Sequence, residues 1–507
     1  MMAINTPQVS NSLAMLLKGI ADVGVSEDRE ITGIKLDSRK VTSGDLFIAC
    51  QGVNVNGCDF IEAAIAAGAV AVVWESVPKV YPLQIAKFLD DDSSIPVIAV
   101  ENIKEQVGVI ASRFYGHPSR KMNVIGVTGT NGKTSCSHFL SQVLNKESSC
   151  GLIGTLGYGL YGDLKETNMT TPDPVSLQSY LKELLDAGAE NIVMEVSSHG
   201  LDQGRVGGTD VNVAVFTNLS RDHLDYHNDM DAYSQSKQKL FELPGIKTVV
   251  INADDEFGRK LIAGVSDEKE CISYGMRAHE YQPTVYATEI CLNHDGVNFK
   301  VITPWGNGHL QSPLMGRFNV SNLLAVLSAM LVIGISLKDA LEQLSRLDTV
   351  PGRMERLDGG SDLPLVVIDY AHTPDALKQA LMALRDHGGD KLVCVFGCGG
   401  DRDKGKRPLM GEIAVEHADE VFITDDNPRS ESPAQIVDDI MQGVSDTENV
   451  SVVHDRARAI HQAIAGAGAE DIVLIAGKGH ESFQLIGQNK IPFNDRNQVA
   501  SILRSLQ

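Results

Sequence analysis

The chain has 507 residues, a length that predicts about three domains. Apolar residues make up 43% and charged residues 22%, which suits large buried cores and excludes disordered, collagen-like and coiled-coil classes. The net charge of −22, from 44 Lys and Arg against 66 Asp and Glu, excludes broad nucleic-acid binding, so any bound anion must be held by local positive charge.

The N-terminus lacks a basic region leading into an apolar stretch and a cleavage site. The most apolar segment, residues 61–74, carries Glu62 and is shorter than the roughly 20 residues of a membrane span. It is predicted as a helix over 60–67 with Asp59 as N-cap and Gly68 as its stop, followed by a strand over 69–74. Helix, glycine, strand is the pattern of α/β folds. The eight cysteines are too sparse for a disulfide scaffold, and a reducing cytoplasm is the expected location. The first domain is expected to end near residues 95–100, with a helix over 101–115 leading into the second.

The second domain opens on a strand over 122–128, then Gly129-Thr-Asn-Gly-Lys-Thr134, then a helix over 135–144. Strand, glycine-containing loop and helix N-terminus together cradle phosphates with backbone amides. Lys133 would reach the terminal phosphates, and Thr134 would place its hydroxyl on Mg²⁺. The strict phosphate-loop pattern has glycine at position 127, where this chain has Val127. Downstream, Ile192-Val-Met-Glu195 and Val213-Ala-Val-Phe-Thr-Asn218 read as strands running into polar loops that carry His199 and His223. A carboxylate and an imidazole on neighbouring strand tips suit a Mg²⁺ site between nucleotide and substrate. Antiparallel strands are expected over 287–313 and a helix over 321–331, with the domain ending near Leu347.

The third domain carries four apolar strands, over 365–368, 392–396, 421–424 and 472–475, each followed by a polar loop. Helical stretches between them imply parallel pairing, which gathers the loops on one sheet edge. Arg402 occupies the third glycine position of a dinucleotide fingerprint starting at Gly397, so no such cofactor is expected there. Cys394, inside a strand pattern, reads as buried filler, and no metal role is expected of the pair Cys394 and Cys398.

The sequence resembles the Mur ligases, ATP-dependent amide-forming enzymes of peptidoglycan assembly, over nearly its whole length. The matching stretches are Gly129–Thr134, Met194-Glu-Val-Ser-Ser-His-Gly-Leu201, Thr217-Asn-Leu-Ser-Arg-Asp-His-Leu-Asp-Tyr226, Gly316-Arg-Phe-Asn-Val-Ser-Asn322, Asp369-Tyr-Ala-His-Thr-Pro374 and Asp426-Asn-Pro-Arg429. The resemblance implies three α/β domains. Residues 1–97 would bind the UDP-MurNAc substrate, 98–348 would form a central phosphate-loop ATPase domain with a parallel sheet and a smaller antiparallel one, and 349–507 a Rossmann-like amino-acid-binding domain.

It further implies ATP contacts at Gly129, Thr130, Asn131, Gly132, Lys133, Thr134, Ser135, Asn319, Arg353 and Asp369. Leu36, Ser38, Val53, Asn54 and Val55 would line the uridine pocket, although the last three depart from the family's pattern. Thr170, Thr171, Ser197, Gln203 and Arg205 would hold the muramoyl-peptide end. Arg402, Asp426, Asn427, Pro428, Arg429, Gly477 and Glu481 would bind diaminopimelate, the two arginines suiting its extra carboxylate and Glu481 its distal ammonium. Thr134, Glu195, His223 and Lys237 would hold two Mg²⁺ ions, with Lys237 carbamylated by CO₂. Taken alone, Lys237 reads as a solvated helix lysine; only the resemblance assigns it this role. The implied substrates are ATP, UDP-MurNAc-L-Ala-D-Glu and meso-diaminopimelate, and the expected state is a cytoplasmic monomer whose third domain closes on a hinge near 347–351. The D-alanyl-D-alanine-adding Mur ligase, folylpolyglutamate synthetase and a phosphate-loop ATPase that forms no bond are the competing readings.

Overall fold

The computed structural model describes residues 11–52, 55–76, 95–167 and 169–507. They fall into two compact units, one of residues up to Ile251 with Asp255–Cys271 and one of Asn252–Asp254 with Ile272–Gln507.

The first unit begins with a parallel sheet of β1 (Gly33–Lys35), β2 (Asp45–Ala49), β3 (Ala71–Glu75) and β4 (Val97–Val100), in that order. Every residue of β2 is buried, as expected of a strand covered on both faces. Asp59 does not cap the helix that follows. Asn56 caps a 3-10 turn (Gly57–Phe60) instead, its Oδ1 accepting from Cys58 N at 3.1 Å, so the α-helix is confined to Ile61–Ala66. Capping three residues early uses up the segment that would have been its first turn. The helix over 101–115 is present as Ile103–Phe114.

The same unit holds β5 (Asn123–Thr128), β6 (Cys150–Gly154), β7 (Gly157–Leu160), β8 (Asp163–Lys165), β9 (Asn191–Glu195), β10 (Val213–Phe216) and β11 (Thr248–Asn252). Their order is β11-β10-β5-β9-β6-β7-β8, parallel from β11 to β6, with β7 and β8 antiparallel. The strands that carry Glu195 and lead to His223 are therefore not neighbours. They flank β5, which puts the phosphate loop between them. The sequence shows each strand's polar end but not its place in the sheet, since pairing order is set by long-range contacts.

In the second unit, β12 (Glu270–Gly275) runs parallel to β13 (Val285–Asn293), which continues antiparallel to β14 (Gly296–Thr303) and β15 (Gly306–Ser312). The following helix, Arg317–Val332, is longer than the stretch over 321–331 and almost wholly buried.

Next come β16 (Glu355–Asp358), β17 (Leu365–Asp369), β18 (Leu392–Phe396), β19 (Glu420–Ile423), β20 (Val450–Val452) and β21 (Ile472–Ala476), ordered β16-β17-β21-β18-β19-β20. The four expected strands pair in parallel, so their C-terminal loops emerge at one edge. The edge strands β16 and β20, and a hairpin of β22 (Phe483–Ile486) and β23 (Asn489–Pro492), were not foreseen; they are short or largely exposed and lack an apolar run. Val366, Ile368, Val393, Val395, Val473 and Ile475 enter one core cluster, whereas Leu365, Val367, Leu392, Cys394 and Leu474 enter another. Alternate residues thus bury both sheet faces, the mark of a doubly wound sheet, with about 1.5–3 kcal/mol per large apolar side chain. No helix among the described residues is long and apolar enough to cross a membrane.

Candidate functional site

The phosphate loop leaves the central strand β5 immediately after Thr128. Val127 is still inside that strand, paired with Glu195, so the loop proper starts at Gly129. Gly129 sits at φ +151°, where a Cβ would collide with Thr217 Oγ1; only glycine fits. Gly132, at φ +83°, makes the turn into a helix over Lys133–Glu147. That helix starts earlier than expected, placing Lys133, Thr134 and Ser135 in its first turn.

Asn218 and Thr217, from beyond β10, brace the loop. Asn218 Oδ1 accepts from Asn131 N at 3.0 Å, and Asn218 Nδ2 and Thr217 Oγ1 donate to Asn131 O at 3.0 and 2.6 Å. Thr130 Oγ1 accepts from Ser220 N at 3.0 Å and lies 3.1 Å from the Tyr233 hydroxyl. Lys133 Nζ folds back onto the carbonyls of Gly129 and Thr130 at 2.8 and 2.9 Å.

Glu195, fully buried, anchors the adjoining corner. Its Oε2 accepts from Thr134 Oγ1 at 2.9 Å and Thr155 Oγ1 at 3.1 Å, and its Oε1 from Thr155 N at 2.8 Å. Thr155 was not anticipated; the signal available was its place directly after the apolar strand β6. Thr170 Oγ1 lies 3.0 Å from Thr155 Oγ1. Thr171 Oγ1 donates to Glu195 O at 3.0 Å and accepts from Ser197 N at 3.0 Å. Arg205 donates to Thr171 O at 2.7 Å and through Nε and Nη2 to Gln203 Oε1 at 3.1 and 2.6 Å. The five residues assigned to the muramoyl-peptide end thus form a connected polar surface beside Glu195.

Lys237 is not a solvated helix lysine. It is 1% exposed, with Nζ donating to Gly129 O at 2.8 Å and lying 4.4 Å from the centre of the Tyr233 ring. Burial, then the neighbouring Lys133 charge, push its ammonium well below the usual lysine range, outweighing Asp222. Lys239, two residues on, pairs instead with Asp202 at 3.0 Å near the surface. His223, at φ +53°, is half exposed and contacts Asp222, His199 and Tyr233. Among the described residues no group of three or more His, Cys, Asp and Glu side chains could hold a metal ion. Glu195 and His223 alone do not make such a group, so a hard cation here would need further oxygens, from Thr134, a nucleotide and an oxygen-bearing modification of Lys237.

In the N-terminal sheet, Ser38 opens a 3-10 turn capped by Asp37, whose carboxylate also receives Arg39 in a two-pronged pair at 2.9 Å. That pairing holds the Asp37 carboxyl down at about 2. Leu36 packs at the edge of the core and Val55 is 60% exposed, while Val53 and Asn54 lie outside the described residues.

In the second unit, Asp369 ends β17 and accepts from Met354 N at 2.7 Å; burial raises its carboxyl against the pull of Arg353. The Arg353 guanidinium lies 5.2 Å from the centre of the Tyr370 ring, and its Nε is buried without a partner. Asn319 is committed to its own helix region, donating to Met315 O at 2.7 Å and accepting from Asn322 at 2.8 Å.

The loops behind β18, β19 and β21 bring the remaining residues together. Arg429, at φ +51°, donates to Gly400 O at 2.8 Å. Arg429 and the exposed Arg402 both lie against Gly399, which has no side chain to separate them. Pro428 is buried behind them, its carbonyl accepting from Glu431 N at 3.1 Å. Asn427 Nδ2 donates to Glu481 Oε2 at 2.8 Å. Gly477, at φ +112°, lies so close to Asp426 Oδ2 that a Cβ would be 2.8 Å from it. Between them is an unforeseen residue, Lys478, fully buried and donating to Glu481 Oε2 at 2.8 Å. Cys394 and Cys398 are both buried, and burial pushes both thiols up to about 12.

A phosphate loop on the central strand of one parallel sheet, with a polar loop cluster at the edge of a doubly wound sheet, defines a multidomain α/β nucleotide-binding protein. Family models agree: the Mur ligase family catalytic domain matches residues 30–115, the Mur ligase middle domain 127–330, and the Mur ligase glutamate ligase domain 352–479. The chain belongs to the Mur ligase family.

Similar proteins include the UDP-N-acetylmuramoyl-L-alanyl-D-glutamate--2,6-diaminopimelate ligase of Coxiella burnetii, 46% identical over 94% of this chain and 97% of that one. That of Pseudomonas aeruginosa is 49% identical over 94% and 95%. A solved structure of a ligase of the same name is 35% identical, with a TM-score of 0.75 over 98% of this chain and 99% of that one. The D-alanyl-D-alanyl ligase of Acinetobacter baumannii, 18% identical with a TM-score of 0.61 over 98% and 100%, shares the fold.

Proposed function

We propose that this chain is an ATP-dependent amide ligase that joins meso-2,6-diaminopimelate to UDP-N-acetylmuramoyl-L-alanyl-D-glutamate in peptidoglycan precursor synthesis. The observation that carries the reading is 46% identity over 94% of the chain to a ligase of that name. The phosphate loop and the Arg402–Arg429 pair support it.

A carboxylate is a poor acyl donor, so the reaction first needs activation. The D-glutamate carboxylate attacks the γ-phosphorus of ATP, giving an acyl phosphate and ADP. The neutral amine of diaminopimelate then attacks the acyl carbon, the tetrahedral intermediate expels phosphate, and the nitrogen loses a proton. Lys133 and the loop amides neutralise the phosphates and the charge that develops on them. Thr170, Thr171, Ser197, Gln203 and Arg205 orient the acyl donor, and Leu36, Ser38 and the segment 53–55 bind uridine. Arg353, Asp369 and Asn319 are assigned to nucleotide contacts, while Arg402, Asp426–Arg429, Gly477 and Glu481 select the amine.

Magnesium, when bound, would supply positive charge between nucleotide and carboxylate, with two ions held by Thr134, Glu195, His223 and a carbamate on Lys237. The burial of Lys237 beside Lys133 favours this modification. A neutral Nζ attacks CO₂, forms the C–N bond and releases one proton, converting a misplaced cation into an anionic oxygen ligand. The reading includes a cytoplasmic monomer, which light scattering after gel filtration would check.

Phosphate release is the direct test. It is expected only when ATP, the UDP-dipeptide and meso-diaminopimelate are all present, with L-lysine a much poorer acceptor. Equal rates with lysine would overturn the amine selection; release without any acceptor would point to an ATPase that forms no bond.

A further inference from the structure

Lys478 lies outside the ATP, uridine, peptide and diaminopimelate residue sets, yet it ties the 426–481 cluster together. Its side chain is 0% exposed. Its ammonium donates to Glu481 Oε2 at 2.8 Å and to Asn427 Oδ1 at 3.1 Å, and stands 3.9 Å from Asp426 Oδ1. Asn427 Nδ2 donates to the same Glu481 Oε2 at 2.8 Å, and Asn427 Oδ1 also accepts from Leu485 N at 2.9 Å. One oxygen of Glu481 thus receives two donors from inside the protein, while its side chain remains 24% exposed. Oε1 is left for a ligand.

The surrounding charges point to the sign of that ligand. Arg456 grips Asp495 through two hydrogen bonds at 2.8 and 2.7 Å, both side chains being 0% exposed, and its charge also reaches Asp426 and Glu481. The cations Lys478 and Arg456 therefore face three anions, Asp426, Glu481 and Asp495. A cluster with three carboxyl groups against two cations, one of those carboxyls partly open, suits a further cation. Glu481 is the most open of the three acids.

We propose that Lys478 is a positioning residue for amine recognition, holding Glu481 so that Oε1 receives the distal ammonium of the amino-acid substrate. This role rests on the diaminopimelate reading of the site. Burial by itself raises the Glu481 carboxyl; Lys478, with help from Asn427 and His480, more than offsets it and brings the group below its usual range. Without Lys478, burial and the nearby Asp426 act against the charged form. A protonated Glu481 donates where an ammonium needs an acceptor, so the distal amine loses its partner while the carboxylate contacts stay.

Steady-state assays on the full-length wild type, Lys478→Met, Glu481→Gln and the double variant test this. The readouts are KM for meso-diaminopimelate, KM for ATP, and the inhibition constant of 2-aminopimelate, which lacks the distal amine. Lys478→Met is expected to raise the diaminopimelate KM by about tenfold or more, leaving the other two constants within about threefold. The double variant should match Glu481→Gln within about twofold, because the two residues act through one contact. It also removes an anion that Lys478→Met leaves unpaired, so it serves if the single variant does not fold. Equal weakening of both amino acids, or a further tenfold loss in the double variant, overturns the role. Wild-type preference for lysine over diaminopimelate is the distinct result that would overturn the parent reading, and this role with it.

Discussion

Two lysines in this molecule are buried to nearly the same extent, yet their surroundings give them opposite chemistry. Lys237, 1% exposed, rests on a backbone carbonyl and an aromatic face with Lys133 nearby. Lys478, 0% exposed, is hydrogen-bonded to Glu481 and lies beside Asp426. Burial disfavours a bare cation, so the first is pushed towards a neutral amine, a nucleophile able to take up CO₂. The second is tied by hydrogen bonds to Glu481 and Asn427, with the Asp426 carboxyl close by. Depth alone therefore says little about a buried lysine; the charges within reach of it decide its role.

The largest expected effect separates the two at once. Lys237→Met should lower turnover by about a thousandfold by removing the anionic ligand, while leaving the protein as stable or raising stability by about 1 kcal/mol. Assays paired with thermal melts check this, and a lower Tm for that variant would break the comparison. Lys478→Met should do the reverse to stability, costing about 3 kcal/mol because acids are left buried without their partner; urea titration measures it. Arg429→Ala, which removes a guanidinium from the same cluster, should lower kcat/KM for diaminopimelate by about tenfold to a hundredfold and leave KM for ATP unchanged.

A pH experiment sharpens the contrast further. The Lys237 ammonium is depressed in the folded state, so between that value and 10.5 the unfolded chain binds a proton that the native chain does not. Native stability should therefore rise with pH across this window, and the Tm advantage of Lys237→Met in CO₂-free buffer should shrink as pH approaches 10.5. A gap independent of pH would mean that Lys237 keeps its proton. The smallest effect is expected from Arg39→Ala, whose exposed pair with Asp37 should leave the urea midpoint essentially unchanged.

The phosphate loop was legible because its chemistry is local. Val124–Thr128, the glycines at 129 and 132, and the helix from Lys133 are consecutive, and each residue's job follows from its neighbours in the chain. Four of the six strands in the doubly wound sheet were legible for the same reason, as apolar runs followed by polar loops. Asp59 misled because a cap three residues upstream, Asn56, competes for the same backbone. Thr155 and Lys478 escaped notice because a threonine after a strand and a lysine between glycines are ordinary in sequence. Their importance comes from Glu195, 40 residues later, and from Asn427, 51 residues earlier.

From residue order alone followed the α/β class, the nucleotide loop, the resemblance to an amide-forming family and the acidic surface that leaves cations to the site. Tertiary structure alone decided that β9 and β10 flank β5, that Lys237 is sealed against Gly129 across 108 residues, and that Lys478 joins two loops of one sheet edge. The physical reason is range. Backbone propensity and capping act over a few residues, whereas desolvation and charge pairing depend on which distant segments pack together.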